Sequence, residues 1–123
     1  MVLDTSVLLA VLFNEASGPR VAEYLEEYRE ALRMSTVNLT EVLILLQDRQ
    51  PQLFESLRDS IYESGIRFVS PTTTHAEIAA AARLRYPLNL GDCFAYALAH
   101  NEQDLLLTLD SDFRKTDIEV IVL

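Results

Sequence analysis

Four acidic residues occupy places in the sequence where a carboxylate could act on a ligand: Asp4, Glu41, Asp92 and Asp110. Asp4 and Asp110 follow apolar runs typical of buried strands, whereas Glu41 and Asp92 lie in apolar helical segments. A buried carboxylate needs a partner, because removing its water is costly. Taken singly, each acid fits a structural role, either capping a helix start or interacting with the helix dipole.

Taken together, the four acids favour a metal site. In a parallel sheet, the carboxyl ends of the strands and the starts of the following helices lie at one edge. Carboxylates gathered there repel one another and resist ionisation once removed from water. A hard cation relieves that repulsion, and all-oxygen ligation suits Mg²⁺ or Mn²⁺. Such ions activate water and stabilise the charge that develops when a phosphodiester is cut, so that chemistry would be open to a metal site of this kind.

The elements that must position these acids alternate between strand and helix, which predicts an α/β fold. We expect three layers: a central parallel sheet of about four to five strands with helices on both faces. The third helix, from Val37 to about Gln50, is apolar almost all round and is predicted to be central. The expected strands are Met1–Leu3, Ala31–Met34, Ile66–Val69, Leu105–Thr108 and Ile118–Val122, and the expected helices are Ser6–Phe13, Val21–Tyr28, Val37–Gln50, Gln52–Ser64, Thr74–Leu84 and Cys93–His100.

The size and composition fit a single domain over residues 1–123, with half of the residues hydrophobic. The apolar runs are too short to span a bilayer, and no basic segment precedes an apolar one, so we expect no membrane association and a cytoplasmic location. The single Cys93 agrees with a reducing compartment. Only three glycines are present, with no G-x-S-x-G or G-x-x-x-x-G-K motif, which argues against serine hydrolase and P-loop chemistry.

Four short motifs surround the acids: Leu3–Ser6, Thr40–Glu41, Gly91–Asp92 followed by Ala95 and Ala99, and Thr108–Phe113. Together they resemble the motifs of the PIN domain. The size and the order of elements are similar to those of the VapC-type toxins of prokaryotic toxin–antitoxin pairs, and the likeness spans nearly the whole chain. The resemblance implies a PIN-like fold and a Mg²⁺- or Mn²⁺-dependent endoribonuclease. It also implies a homodimer and a cognate antitoxin that covers the acidic groove.

Carried over position by position, the resemblance assigns roles to individual residues. The catalytic and metal-binding acids would be Asp4, Glu41, Asp92 and Asp110, with Asp4 and Asp110 as the principal ligands. Asp112 matches a more variable acid and would be an accessory metal ligand. Three hydroxyl residues match positions near the metal: Thr5, Ser6 and Thr108. Helix capping and strand-end hydrogen bonds would explain these three equally. Asn38 matches a polar position near Glu41 that could orient a ligand or touch RNA.

Basic residues near the acids are candidate contacts for the phosphates of RNA, although ordinary surface charge explains each one as well. They are Arg83 and Arg85, before Asp92, and Arg114 with Lys115, after Asp112. The formal net charge of −9 and the single Lys depart from what an RNA-cutting protein leads us to expect. An acidic protein does not attract nucleic acid through its overall field, so phosphate must be bound locally.

Two other classes of protein place acids at strand ends. A receiver-like or phosphatase domain would accept a phosphoryl group on an aspartate, but a receiver needs a lysine at a late strand end and this chain offers only Lys115. Phosphatases of that kind have a second Asp two residues after the first, where this chain has Ser6. The remaining alternative is a non-catalytic binding domain whose acids only cap helices; it predicts no thermal stabilisation by Mg²⁺ or Mn²⁺.

Overall fold

A five-stranded parallel sheet forms the centre of the computed structural model, which describes all 123 residues. The strand order is β3-β2-β1-β4-β5, and every neighbouring pair is parallel. β1 is therefore central, with Val2 opposite Arg33 on one side and Leu106 on the other. This confirms the predicted α/β fold. The strands are β1 (Val2–Leu3), β2 (Arg33–Ser35), β3 (Arg67–Val69), β4 (Leu106–Thr108) and β5 (Val120–Val122).

Six α-helices cover the sheet, and none is both long and apolar enough to cross a membrane. The last helix begins at Leu90, three residues before the start at Cys93 that the sequence predicts. Asn89 and Asp92 form a capping box that starts this helix earlier than expected. The helices are α1 (Thr5–Leu12), α2 (Gly18–Glu27), α3 (Thr36–Arg49), α4 (Phe54–Glu63), α5 (Thr73–Arg85) and α6 (Leu90–Glu102), with 3-10 turns at Arg29–Ala31 and Ser111–Lys115.

Two hydrophobic clusters lie on opposite faces of the sheet, as the three-layer prediction requires. Alternating side chains of the strands point to the two faces, so that Leu3 and Leu107 join one cluster while Val2 and Leu106 join the other. The first cluster packs against α1 to α4, and the second against α5 and α6. Because both faces are covered, the central strands β1 and β4 are buried and almost entirely apolar, whereas β2 and β3 each begin with an arginine.

The expectation that α3 is central is only partly correct. Val42 and Leu46 are fully buried, but Ile44 is 58% exposed on the opposite side of the helix. A helix packed on one side exposes its outer face whatever residues are there. The buried stripe of α3 contains one polar residue, Asn38, which lies at the edge of the sheet where the acids meet.

Candidate active site

Asp4 follows the carboxyl end of β1 and is only 3% exposed. It occupies the N-cap position of α1, yet its side chain accepts no capping hydrogen bond. Instead, Oδ1 accepts from the Ser6 hydroxyl at 2.6 Å and Oδ2 accepts from the Thr108 hydroxyl at 2.7 Å. Burial raises the pKa of Asp4 to about 6 even though both hydroxyl groups favour the ionised form. Hydroxyl groups are therefore the shortest partners of the Asp4 carboxylate, and the Val7 backbone N–H is a weaker one that also lowers its pKa.

The same two hydroxyls connect Asp4 to the segment that follows β4. The Ser6 oxygen accepts the Leu109 backbone N–H at 3.0 Å, and the Thr108 oxygen accepts the Asp110 N–H at 3.0 Å. Because each hydroxyl oxygen accepts from the backbone, its proton is free to point at Asp4. Asp110 in turn caps the 3-10 turn, with Oδ1 accepting the Asp112 N–H at 2.9 Å. The hydroxyls thus fix the position of Asp110 relative to Asp4.

Asp92 lies in the first turn of α6, half-buried at the same edge of the sheet. One carboxylate oxygen, Oδ2, accepts the Asn89 N–H at 3.2 Å, so the capping prediction is confirmed for this oxygen. Burial is the main cause that raises the pKa of Asp92 to about 6, and the nearby carboxylates of Asp110 and Glu41 raise it further. Sequence reasoning missed Asn89, although an Asn three residues before an acid at a helix start is a recognisable capping pattern.

Glu41 lies in the second turn of α3, where its half-buried carboxylate is held by side chains of two helices. Oε1 accepts from the Thr5 hydroxyl at 2.6 Å and from the Asn38 amide at 3.2 Å. The carboxylate also lies directly against Gly91, at the start of α6. Side chains, rather than the free N–H groups of the helix start, therefore satisfy Glu41.

The acids form a group without a basic partner. None of Asp4, Glu41, Asp92 and Asp110 makes an ion pair with Arg or Lys. In Glu41, Asp92 and Asp110 the protein binds one carboxylate oxygen and leaves the other without a protein donor. This all-oxygen, net-negative donor set fits a hard divalent cation. No three of these side chains lie close enough to hold an ion directly in this arrangement, so ligation would use bridging waters or small rotations.

Two of the residues that the resemblance places near the metal or the RNA are too deeply buried to touch substrate. Asn38 is 1% exposed and Thr108 is 0% exposed, so neither side chain can touch an RNA in this conformation. Both instead bind the acids, Asn38 at Glu41 and Thr108 at Asp4. Thr5 and Ser6 are half-buried and also donate to acids. The four residues are therefore supports for the carboxylates.

The candidate phosphate contacts lie on the surface and pair with none of the four acids. Lys115 forms an ion pair with Asp112 at 3.1 Å, so the carboxylate of the predicted accessory ligand already has a basic partner. Arg114 is exposed beside it, and Arg83 is exposed on α5 without an ion pair. Arg85 lies over the ring of Tyr86, 5.1 Å from its centroid. A role for Arg83, Arg85 or Arg114 in binding RNA stays a prediction.

The fold and the acids define an α/β protein with a carboxylate site at the carboxyl edge of a parallel sheet, and comparison with known proteins gives the family. The PIN domain family model matches residues 1–119. The ribonuclease VapC42 of Mycobacterium tuberculosis is 32% identical over 127 residues, covering 96% of each chain. VapC36 of the same organism is also 32% identical, covering 97% of this chain and 91% of its own. The chain belongs to the PIN domain family, among its VapC ribonucleases.

Solved structures support the same fold. VapC20 of Mycobacterium tuberculosis, described as a toxin that cleaves the sarcin–ricin loop, superimposes with a TM-score of 0.81 at 17% identity and 95% coverage of both chains. A toxin–antitoxin complex from Klebsiella pneumoniae gives a TM-score of 0.78 at 22% identity, covering 98% of this chain and 95% of that one. At such low identity these structures establish the fold alone.

Proposed function

We propose that this protein is a metal-dependent endoribonuclease, the toxin of a toxin–antitoxin pair. The observation that carries the proposal is the oxygen arrangement of the acids. Four carboxylates from separate elements lie at one edge of the sheet without a basic partner, and Glu41, Asp92 and Asp110 each keep one oxygen unbound. Helix capping alone would bond the buried Asp4 mainly to backbone N–H groups, whereas its two short hydrogen bonds come from the hydroxyls of Ser6 and Thr108.

Asp4 and Asp110 would be the principal ligands of Mg²⁺ or Mn²⁺, because the hydroxyls of Ser6 and Thr108 hold the two acids in a fixed relation. Asp92 and Glu41 would complete the site, directly or through water. Asp112 is a poorer candidate, since Lys115 competes for its carboxylate. When bound, such an ion supplies a water of lowered pKa and stabilises the negative charge that develops on the cleaved phosphate.

The chain itself contributes orientation and charge. The two hydroxyls donate to both oxygens of Asp4, which favours its ionised form and fixes its remaining lone pairs. No carboxylate needs to attack phosphorus, because positioning the ion and the scissile phosphate suffices. Arg114, next to the accessory acid, would bind a phosphate of the RNA, with Arg83 and Arg85 as further candidates.

A cognate antitoxin is the expected protein partner. The superimposed solved structures include toxin–antitoxin complexes from Klebsiella pneumoniae and Salmonella typhimurium, the latter a VapBC pair bound to DNA. We further propose a homodimer, as the VapC resemblance implies, and a location in the cytoplasm, with which the single Cys93 agrees. The acidic net charge makes binding to RNA depend on local basic residues, so the salt dependence of cleavage should be shallow.

The direct test is cleavage of a mixed pool of structured RNAs with Mn²⁺, Mg²⁺ or EDTA. We expect cleavage with either ion, none with EDTA, and none from Asp4→Asn. Asp48→Asn, at an exposed position of α3, makes the same charge change away from the site and should cut normally. A fully active Asp4→Asn protein, or undiminished cutting in EDTA, would overturn the assignment.

The non-catalytic alternative makes the opposite prediction in a simpler measurement. If the acids only supported the fold, Mn²⁺ would leave the melting temperature unchanged, whereas an ion bound only by the folded state raises it. The receiver-like alternative is tested by incubation with a small phosphodonor, because it alone predicts a stable aspartyl phosphate.

A further inference from the structure

Asn38 joins three of the elements that build the acidic site. Its side chain is 1% exposed in the first turn of α3. The Nδ2 atom donates to the backbone oxygen of Gly91 at 3.0 Å, and to Glu41 Oε1 and Thr5 Oγ1 at 3.2 Å each. A single amide group therefore contacts α1, α3 and the start of α6, one residue before Asp92.

The other end of the same amide has no partner. Asn38 Oδ1 is buried and accepts no hydrogen bond. The orientation of the amide is nevertheless fixed, because three oxygen acceptors surround Nδ2 and an oxygen in its place would be repelled by all of them. A buried acceptor without a donor is destabilising. The favourable contacts of this residue therefore come entirely from Nδ2.

Gly91 completes the arrangement by having no side chain. A Cβ atom built on Gly91 would overlap the carboxylate of Glu41. Only glycine lets this carboxylate lie against the first turn of α6 while Asn38 binds the Gly91 carbonyl. The contact brings Glu41 up to the turn that carries Asp92, and the Glu41 carboxylate contributes to the raised pKa of Asp92.

We propose that Asn38 is a positioning residue that fixes the Glu41 carboxylate against the first turn of α6, and thereby sets the separation of Glu41 and Asp92 for metal binding. The inference rests on the proposed function, in which these two acids hold the ion. An amide suits the position because it donates hydrogen bonds without charge. A carboxylate there would repel Glu41, and an aliphatic side chain would donate nothing.

The test uses the full chain with Asn38→Leu, Gly91→Ala and a control. Leu keeps the shape of Asn while removing both Nδ2 and the unpartnered Oδ1, so the fold should survive. Gly91→Ala leaves Asn38 in place but pushes on Glu41, and Ala favours a helix more than Gly does. The control is Thr40→Ala, on the exposed side of α3, whose hydroxyl binds only the Thr36 carbonyl.

Mn²⁺ affinity by titration calorimetry is the first readout, and kcat and KM for an RNA substrate are the second. Removing a residue that hydrogen-bonds a metal ligand typically lowers the affinity for the metal by roughly 10- to 100-fold. We expect weakening of that order in Asn38→Leu and Gly91→Ala, with kcat reduced and KM unchanged because the buried Asn38 cannot touch RNA. Thr40→Ala should match the wild type in all three quantities.

Wild-type Mn²⁺ affinity in both variants, with folding confirmed by circular dichroism, would overturn the positioning role whatever their activity. If Asn38→Leu does not fold, Gly91→Ala decides alone. A wild-type protein that neither binds Mn²⁺ nor cuts RNA would overturn the proposed function, and the positioning role with it. An active wild type with unaffected variants overturns the positioning role only.

Discussion

Asp4 and Thr108 are 104 residues apart in the chain, and their side chains meet at 2.7 Å in the interior of the protein. The Thr108 hydroxyl donates to Asp4 and accepts the backbone N–H of Asp110 at 3.0 Å. Ser6 repeats this arrangement between Asp4 and Leu109. Each hydroxyl therefore donates to an oxygen of Asp4 and accepts from a backbone N–H. Both the Asp4 oxygens and these N–H groups thus have partners inside the protein.

Replacing Thr108 by Val should cost both stability and activity. Val has the shape of Thr but removes the hydroxyl, so the Asp110 N–H and Asp4 Oδ2 each lose a partner. A hydrogen bond to a charged group contributes roughly 1.5–3 kcal/mol to the free energy of unfolding. We therefore expect the free energy of unfolding in urea to fall by about 2 kcal/mol. RNA cleavage should fall because Asp110 is no longer fixed relative to Asp4. The matched control is Thr40→Val, and equal stabilities for the two variants would contradict the prediction.

The metal-free protein should become more stable as the pH falls from 7.5 to 5. Burial raises the pKa of Asp4 from 3.8 to about 6, so the folded state binds a proton more tightly than the unfolded state does. The contribution of this group to stability is complete below about pH 4 and is lost as the pH rises through about 6. For Asp4 the gain between pH 7.5 and 5 should be roughly 1 kcal/mol.

Urea unfolding in EDTA at the two pH values measures this effect. Asn resembles the protonated form of Asp, so Asp4→Asn should be more stable than the wild type at pH 7.5, and the difference should shrink at pH 5. A difference between the two proteins that does not change with pH would show that Asp4 is ionised throughout this range.

Metal affinity should change with pH in the opposite direction. A metal ligand must be deprotonated, and the pKa of both Asp4 and Asp92 is raised to about 6. Protons therefore compete with Mn²⁺ below this value, and we expect the affinity to fall at least about 10-fold between pH 7.5 and 5. Calorimetry in buffers of different ionisation enthalpy should also detect proton release at pH 6. Affinity that is constant over this range would mean that neither acid binds the ion.

Tyr96, one turn after Asp92 in α6, provides a test of whether the site depends on contacts farther along that helix. The Tyr96 hydroxyl donates to Asp117 Oδ1 at 2.5 Å. Burial, and after it this hydrogen bond, raises the pKa of Tyr96, and the same hydrogen bond lowers the pKa of Asp117. Asp117 is exposed, so Tyr96→Phe should cost only about 1 kcal/mol in urea unfolding. RNA cleavage and Mn²⁺ affinity should be unchanged. A loss of Mn²⁺ affinity in this variant would indicate that the first turn of α6 responds to contacts farther along the helix.

Much of the architecture is encoded locally and could be predicted from the sequence. The apolar runs ending at Leu3 and Thr108 predict buried strands, because only strands covered on both faces are apolar throughout. The helices between them require a parallel sheet, and a parallel sheet places Asp4 and Asp110 at one edge. The sequence predicts a later start for α6 than the structure has. The helix starts at the capping box of Asn89 and Asp92, and the three-residue spacing alone does not show that these two side chains bind each other's backbone.

The sequence by itself determined the fold class, the edge of the sheet at which the acids gather and the family to which the chain belongs, since residue types and order are enough for each of these. Only the tertiary structure decided what the polar neighbours do. The sequence left open whether Asn38 orients a metal ligand or touches RNA, and whether Thr108 lies near the metal or only bonds the strand end; both are buried supports of Glu41 and Asp4. The physical reason is that burial and hydrogen-bond partners arise between elements distant in sequence, where the direction of a side chain depends on how the helices pack.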